Sequence, residues 1–235
     1  MSGRLRNEFD VVRACGEIRE LNGNALFAAS DFIVAKQFTP YEVMPYGAAA
    51  GGIVIIDGLW ATQLFRERGG PERMLRLYEE NASLCREELG RLRKLRLTDQ
   101  PDGVHQVAKG ILGTLLDPEQ PGRKHYSFAT KLFHWHAPEH LPIVDARARK
   151  AINMLQKACG KRQGVVLADT AEMGGESYLD EYGRWVHFYS ELLNELTPGD
   201  QEQLLAADRE SLPRHFFVEN PLLRVLDKVF YHRGG

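Results

Sequence analysis

The densest group of potentially reactive side chains lies in residues 126–152. Ser127 and Lys131 are four residues apart, so they share one face if this segment is helical. Pro142 holds the following residues extended, and Asp145 then stands where a new helix can begin, at the positive end of its dipole. A carboxylate held there can stabilise developing positive charge or activate water, and a lysine amine can form a Schiff base.

Three histidines in the same segment, His134, His136 and His140, raise the alternative of a metal site completed by Asp145. On a helix, positions 134 and 136 point about 200° apart, so both can face one ion only if the helix has already ended. We therefore predict that these histidines make hydrogen bonds or phosphate contacts, and that the protein binds no metal.

Helices must position these residues. Apolar residues recur at helical spacing along almost the whole chain, and no stretch alternates with the period of two typical of half-buried strands. The sequence therefore predicts an all-α fold. Ser127 is expected to cap the helix that carries Lys131, and Thr197-Pro198 and Asn220-Pro221 each resemble a cap residue followed by proline. The other predicted helices cover residues 8–21, 25–37, 52–67, 71–96 and 102–116.

Composition excludes several classes of protein. The chain has 235 residues, of which 43% are apolar, so it can bury a full core and is neither disordered nor fibrous. Its three cysteines lie far apart, which excludes a disulfide scaffold and a four-cysteine iron–sulfur cluster. The first twenty residues lack an apolar signal core, and the most apolar run, residues 48–61, is too short to span a bilayer. We expect a cytoplasmic protein with no membrane partner, no cofactor and no obligate protein partner.

The formal net charge of −2 at first argues against a polyanionic partner such as nucleic acid. The charge is unevenly distributed, however. Residues 123–162 carry nine basic and two acidic residues, a balance of +7, whereas residues 168–210 carry eleven acidic and two basic residues, a balance of −9. The basic stretch surrounds the reactive segment, where it could neutralise phosphates.

The reactive segment resembles the active-site region of the helix-hairpin-helix superfamily of DNA glycosylases. The resemblance rests on His-Leu-Pro-Ile-Val-Asp at residues 140–145, on Arg147 and Lys150 after it, and on Ser-Phe-Ala-Thr-Lys at residues 127–131. The pattern Ser-Phe-Ala-Thr-Lys followed by Pro-Ile-Val-Asp at residues 142–145 resembles a bacterial branch described as 8-oxoguanine-glycosylase-like. The glycine-rich hairpin of the family is missing, since Pro121-Gly122 is followed by Arg-Lys-His-Tyr. The cluster-binding cysteines of some members are also absent.

The resemblance implies a two-lobed helical unit over residues 1–235 with its active site in the cleft. The motif-bearing core would cover about residues 100–165, flanked by helices in 1–99 and 166–235. It makes Asp145 the catalytic carboxylate. Ser127 stands eighteen positions earlier, where members with lyase activity carry lysine, so a mainly hydrolytic, monofunctional enzyme is expected. Lys131, one turn further along, is the residue that could overturn this expectation.

The implied partner is double-stranded DNA that contains a modified base. The target nucleotide would be flipped into a pocket lined by aromatic and polar groups. Aromatic candidates for this pocket are Tyr41, Tyr46, Trp60, Tyr126, Phe128 and Trp135. The candidate DNA contacts are Arg123, Lys124, His125, Arg147 and Lys150.

Two substrate classes follow from the resemblance. Family members in bacteria excise hypermodified cytosines, such as glucosylated hydroxymethylcytosine, from phage DNA as an antiviral defence, and we favour this substrate slightly over an oxidised purine. Two other classes of function stay open: a non-catalytic DNA-binding module, which would not need Asp145, and a metal-dependent helical hydrolase, which would pair His134 or His136 with Asp145.

Overall fold

The structure, a computed structural model, describes residues 4–60, 64, 69–116, 125–160 and 175–235. Within these ranges the chain forms twelve α-helices and no strand, which confirms the all-α prediction. The helices are α1 (Arg4–Phe9), α2 (Val11–Gly23), α3 (Ala25–Gln37), α4 (Tyr46–Trp60), α5 (Gly70–Glu80), α6 (Ala82–Leu92), α7 (Pro101–Gly113), α8 (Tyr126–His136), α9 (Ala146–Ala158), α10 (Gly175–Glu195), α11 (Pro198–Ser211) and α12 (Leu222–Arg233), with the 3-10 turn Arg214–Phe216 before α12.

Local cap chemistry sets several helix boundaries. Thr197 caps α11 in a reciprocal capping box with Asp200, as its sequence predicts. The capping prediction for Asn220 is wrong: α12 begins after Pro221, and the Asn220 amide instead donates to Asp208 inside the protein. Ser127 is not a cap either, because α8 already begins at Tyr126 and leaves Ser127 within its first turn.

The single long helix predicted over residues 71–96 is two helices, α5 and α6. They are separated at Asn81, whose backbone N–H and side-chain amide both donate to the carbonyl of Leu77. The side-chain amide thus competes for the hydrogen bonds of the helix and separates α5 from α6, although the apolar spacing continues through this position. Helix α4 begins at Tyr46, earlier than the predicted start at residue 52. The sequence did not show this first part of the helix, because the glycines and alanines of residues 47–52 carry no apolar period.

The helices pack around one continuous core. Helix α2 lies against α11 and α12, α10 lies against α7, and α12 lies against α9. Helix α8 is central, because all its residues except Ser127 are buried. A lysine on this helix is therefore surrounded by protein, which is the feature of the fold that matters most for the site.

No helix among the described residues is both long and apolar enough to cross a membrane. Cys15, Cys85 and Cys159 are buried in the core, as expected of inert thiols, and form no disulfide within the described ranges.

Candidate active site

Lys131 and Asp145 meet at the centre of the candidate site. The ammonium Nζ of Lys131 lies 3.6 Å from Oδ2 of Asp145 and donates a 3.1 Å hydrogen bond to the backbone carbonyl of Trp60. The Lys131 side chain is 7% exposed and that of Asp145 is 19% exposed, so the pair reaches solvent through the carboxylate. The sequence prediction that both residues belong to one site is consistent with this geometry.

Asp145 is held by the extended segment that precedes α9. The backbone N–H of Val144 donates to the hydroxyl of Thr130 at 3.2 Å, and the hydroxyl of Tyr182 donates to the carbonyl of Pro142 at 2.9 Å. Oδ1 of Asp145 accepts a 2.7 Å bond from the backbone N–H of Arg147, so Asp145 caps α9 as predicted. The other carboxylate oxygen is left to face Lys131.

The electrostatics of the site act mainly on Lys131. Burial lowers the pKa of its ammonium below the ordinary lysine value, and the positive charge of Arg224 lowers it further. The carboxylates of Asp145 and Asp57 act in the opposite direction. The proton of Lys131 is thus easier to remove than that of a surface lysine, although the neighbouring carboxylate favours the protonated form.

Arg224 of α12 was not among the predicted site residues. Its guanidinium lies 4.8 Å from the ring centroid of Trp60 and 5.4 Å from that of Trp135, and it is ion-paired with Asp31. A signal for it was present in the sequence. The segment Leu-Leu-Arg-Val-Leu-Asp-Lys-Val-Phe at residues 222–230 places Arg224, Asp227 and Lys228 on one helix face within an apolar helix, which is typical of a buried ionic cluster.

The three histidines point to different partners. His134 donates from Nδ1 to the carbonyl of Leu141 at 2.7 Å, and Nε2 of His136 lies 3.1 Å from the hydroxyl of Tyr78. His140 is 2.9 Å from the hydroxyl of Tyr41. All three therefore make buried hydrogen bonds that secure α8 and the turn after it. Burial lowers the pKa of His134 to about 3 and that of His136 to about 4, so both are neutral at physiological pH.

Only some of the aromatic pocket candidates lie at the site. Tyr126 and Phe128 are completely buried in the core, and Tyr126 stacks on Tyr178, so neither lines a solvent-accessible pocket in this structure. The prediction that they line the pocket is therefore wrong for this structure, because both side chains pack in the core. Tyr41 packs against His140, and Tyr46 is exposed at the start of α4.

Trp60 is the aromatic candidate that contacts Lys131. Its ring centroid lies 5.9 Å from Nζ of Lys131, and the ring packs edge-on against Trp135. Trp135 is buried whereas Trp60 is partly exposed, so Trp60 is the aromatic surface that a ligand at the ion pair could reach.

The predicted DNA contacts are placed unevenly. Arg123 and Lys124 lie outside the described residues. Arg73 donates to the ring of His125 at 3.1 Å, at the start of α8. Arg147 and Lys150 are exposed on one face of the first turns of α9, next to Asp145; Arg147 also stacks on the ring of Tyr231.

Comparison of the chain with protein-family models, with curated proteins and with solved structures finds no match. In the described part of the chain, no group of three or more histidine, cysteine, aspartate or glutamate side chains could hold a metal ion. The arrangement offers a carboxylate at a helix N-terminus, a buried lysine beside it, and a partly exposed indole ring.

Proposed function

We propose that this protein is a DNA glycosylase that flips out a modified base and hydrolyses its N-glycosidic bond, leaving an abasic site. The observation that carries the proposal is the 3.6 Å contact between Lys131 and Asp145. It lies within the segment that resembles the active-site region of the helix-hairpin-helix glycosylases, and Asp145 occupies the position of the catalytic carboxylate in that resemblance.

The residues suit this reaction. Breaking the bond between C1′ of the sugar and the base nitrogen leaves positive charge on the sugar, which a fixed carboxylate stabilises. Asp145 would then accept a proton from the water that attacks C1′, and the base would leave with the electron pair of the broken bond. Lys131 holds the carboxylate from one side, and Trp60 offers a ring on which a flipped base can stack.

A lyase activity is the second candidate, and the burial of Lys131 favours it. Deprotonated Lys131 could attack C1′ directly, form a Schiff base with the opened sugar and lead to strand cleavage. Two features favour hydrolysis instead. Ser127 occupies the position at which lyase members carry lysine, and Lys131 at rest is paired with Asp145 and donates to the Trp60 carbonyl, as expected of an ammonium rather than a free amine.

Binding to DNA is proposed on the charges beside the pair. Arg147 and Lys150 are exposed in the first turns of α9, shortly after Asp145, where they could contact phosphates on either side of a flipped nucleotide. The same proposal includes a two-lobed arrangement with Asp145 in the cleft.

The substrate we propose first is a hypermodified cytosine in phage DNA, such as glucosylated hydroxymethylcytosine, which would make the activity an antiviral defence. This choice comes from the family resemblance and from the missing glycine-rich hairpin. An oxidised purine of the 8-oxoguanine type is the alternative, and it comes from the same resemblance.

A base-release assay tests the proposal. Purified protein is incubated with duplexes that each carry one modified base, and with phage DNA that does or does not contain glucosylated hydroxymethylcytosine. We expect abasic sites on at least one modified DNA with the wild type, and none with Asp145→Asn, which should still bind DNA. Inactivity on every substrate would contradict the proposal. Equal activity of Asp145→Asn would favour a role that does not need the carboxylate, and inhibition by chelators would favour a metal-dependent hydrolase.

A further inference from the structure

Arg224 is a buried residue next to the candidate active site, where it contacts Trp60. It is buried in α12, and its Nε and Nη2 atoms both donate to Oδ1 of Asp31. That contact uses one edge of the planar guanidinium, whose Cζ also lies 4.8 Å from the ring centroid of Trp60 and 5.4 Å from that of Trp135. Arg224 is thus held in one orientation by a carboxylate and by two aromatic rings.

Trp60 connects Arg224 to Lys131. Trp60 is the last described residue of α4. Its backbone carbonyl accepts the hydrogen bond from Lys131. Its position depends on the indole, which packs on Arg224 on one side and meets Trp135 edge-on. Removal of the guanidinium would release the ring and with it the acceptor of Lys131.

The positive charge of Arg224 also acts on Lys131. The charged groups that act on Lys131 are Asp145, Asp57 and Arg224; the two carboxylates favour its protonated form, and Arg224 opposes it. An ammonium with a lowered pKa gives up its proton more readily. This property serves hydrolysis, in which a proton can pass towards the leaving base, and it also serves attack by the amine.

We propose that Arg224 is a positioning residue of this site, which holds Trp60 against Lys131 and keeps a second positive charge behind the Lys131–Asp145 pair. Its significance for catalysis rests on the proposed glycosylase function. Its effect on Lys131 does not, and can be measured without any substrate.

A purely structural role must be distinguished from this one. Arg224 belongs to a buried cluster in which Asp31 and Asp208 balance Arg224 and Lys228. Lys228 contacts both carboxylates, and within the described residues it makes no cation–π contact with Trp60 or Trp135. A single neutral substitution in such a cluster leaves a buried charge unpaired and can prevent folding. Each double variant therefore removes one acid and one base together.

The test compares two double variants. Asp31→Asn/Arg224→Met removes the pair that contacts the indoles, and Asp208→Asn/Lys228→Met removes the matched pair that does not. Arg224→Lys is the third variant, because its ammonium can still meet Asp31 but cannot stack on two rings. The titration of Lys131 is followed by NMR of lysine ¹³Cε signals, assigned with Lys131→Arg, and thermal unfolding is recorded in parallel.

We expect the midpoint of Lys131 to move to higher pH by about one pH unit in Asp31→Asn/Arg224→Met, and to stay in place in Asp208→Asn/Lys228→Met. Arg224→Lys keeps the positive charge, so it should move the midpoint less than the first variant does. It should still lower single-turnover base release by about 10-fold or more, because Trp60 loses the guanidinium that holds it. An unchanged midpoint in the first variant, or an equal shift in both double variants, would overturn the proposal. If the wild type releases no base from any DNA, the glycosylase function fails, and the NMR result still decides the effect on Lys131.

Discussion

Asp145 uses its two carboxylate oxygens for different partners: Oδ1 accepts the backbone N–H of Arg147 at 2.7 Å, and Oδ2 faces Nζ of Lys131 at 3.6 Å. The same side chain therefore caps α9 and pairs with a buried lysine of α8. The first contact needs only an oxygen acceptor, whereas the second depends on negative charge. Substitutions can separate the two.

Asp145→Asn keeps an oxygen for the cap and removes the charge that faces Lys131. We expect it to unfold at a lower urea concentration than the wild type, because the buried Lys131 ammonium loses its partner carboxylate. Asp145→Ala should lose about 1 kcal/mol more, because it also loses the cap. Base release should fall by at least about 100-fold in both variants. Urea unfolding and single-turnover base release on the same preparations check this. A fully active Asp145→Asn would leave Asp145 as a cap alone.

Lys131→Ala distinguishes hydrolysis from lyase chemistry. Because Lys131 is paired with Asp145 at rest, we expect the wild type to leave an intact abasic strand, and borohydride to trap no adduct. Lys131→Ala should then release base more slowly, since Asp145 loses its partner. Ser127→Ala is the control at the neighbouring position. A trapped adduct that disappears in Lys131→Ala, but persists in Ser127→Ala, would replace the hydrolytic mechanism by a lyase.

The exposed basic residues of α9 should govern affinity for DNA without regard to sequence. Arg147→Ala and Lys150→Ala should each weaken binding to modified and unmodified duplexes alike, and each should reduce the slope of log affinity against log salt by about 0.9. Fluorescence anisotropy at several salt concentrations measures both quantities. Lys94→Ala, a change at an exposed lysine after α6, is the control. A loss of affinity confined to one DNA sequence would indicate base contacts instead.

His136 should make the protein less stable in acid. Its pKa is lowered to about 4 by burial, so below pH 6.5 the unfolded chain takes up a proton that the folded protein does not. The free energy of unfolding therefore rises with pH across this window, and the contribution of His136 lost at pH 5 is about 2 kcal/mol. Urea unfolding of the wild type and of His136→Gln at pH 5 and pH 7.5 measures it, and the variant should show the smaller difference between the two.

Asp227 makes the free energy of unfolding fall as the pH rises, which is opposite to the effect of His136. The effect of His136 is therefore seen only when the wild type is compared with His136→Gln. Burial raises the pKa of Asp227 from 3.8 to about 7, so the folded protein holds a proton there that the unfolded chain releases. Its contribution to stability is present in acid and is lost as the pH rises towards 7. Equal pH dependence in the wild type and in His136→Gln would show that His136 does not stay neutral through burial.

The close approach of α7 and α10 depends on a glycine. A Cβ atom at Gly183 would lie 2.5 Å from the ring of His105, which is held by a 2.8 Å bond between its Nε2 and the carbonyl of Leu179. We expect Gly183→Ala to destabilise the protein by about 1–3 kcal/mol. Gly16, in the middle of α2, has open space around it, so Gly16→Ala should stabilise by up to about 1 kcal/mol. Thermal unfolding of the two variants checks the contrast; a stabilised Gly183→Ala would mean that the His105 ring moves away freely.

Features encoded within a few residues could be predicted from the sequence. The all-α class follows from apolar periodicity, which reports the helical repeat directly. The caps at Thr197 and Asp145 follow from side chains that reach only two or three residues along the chain. Asn81 shows the limit of the method, because the apolar stripe continues through a position where a local amide interrupts the helix.

Long-range packing decided the rest. Periodicity shows which face of a helix is buried but not what that face meets, so the sequence could not bring Trp60, Arg224 and Asp31 behind Lys131, nor show that Tyr126 lies in the core. These contacts join residues far apart in the chain, and they exist only once the helices have packed at particular angles. The sequence by itself determined the all-α class and singled out Lys131 and Asp145 as candidates, whereas the tertiary structure alone decided that the lysine is buried, which partner it has and which charges surround it.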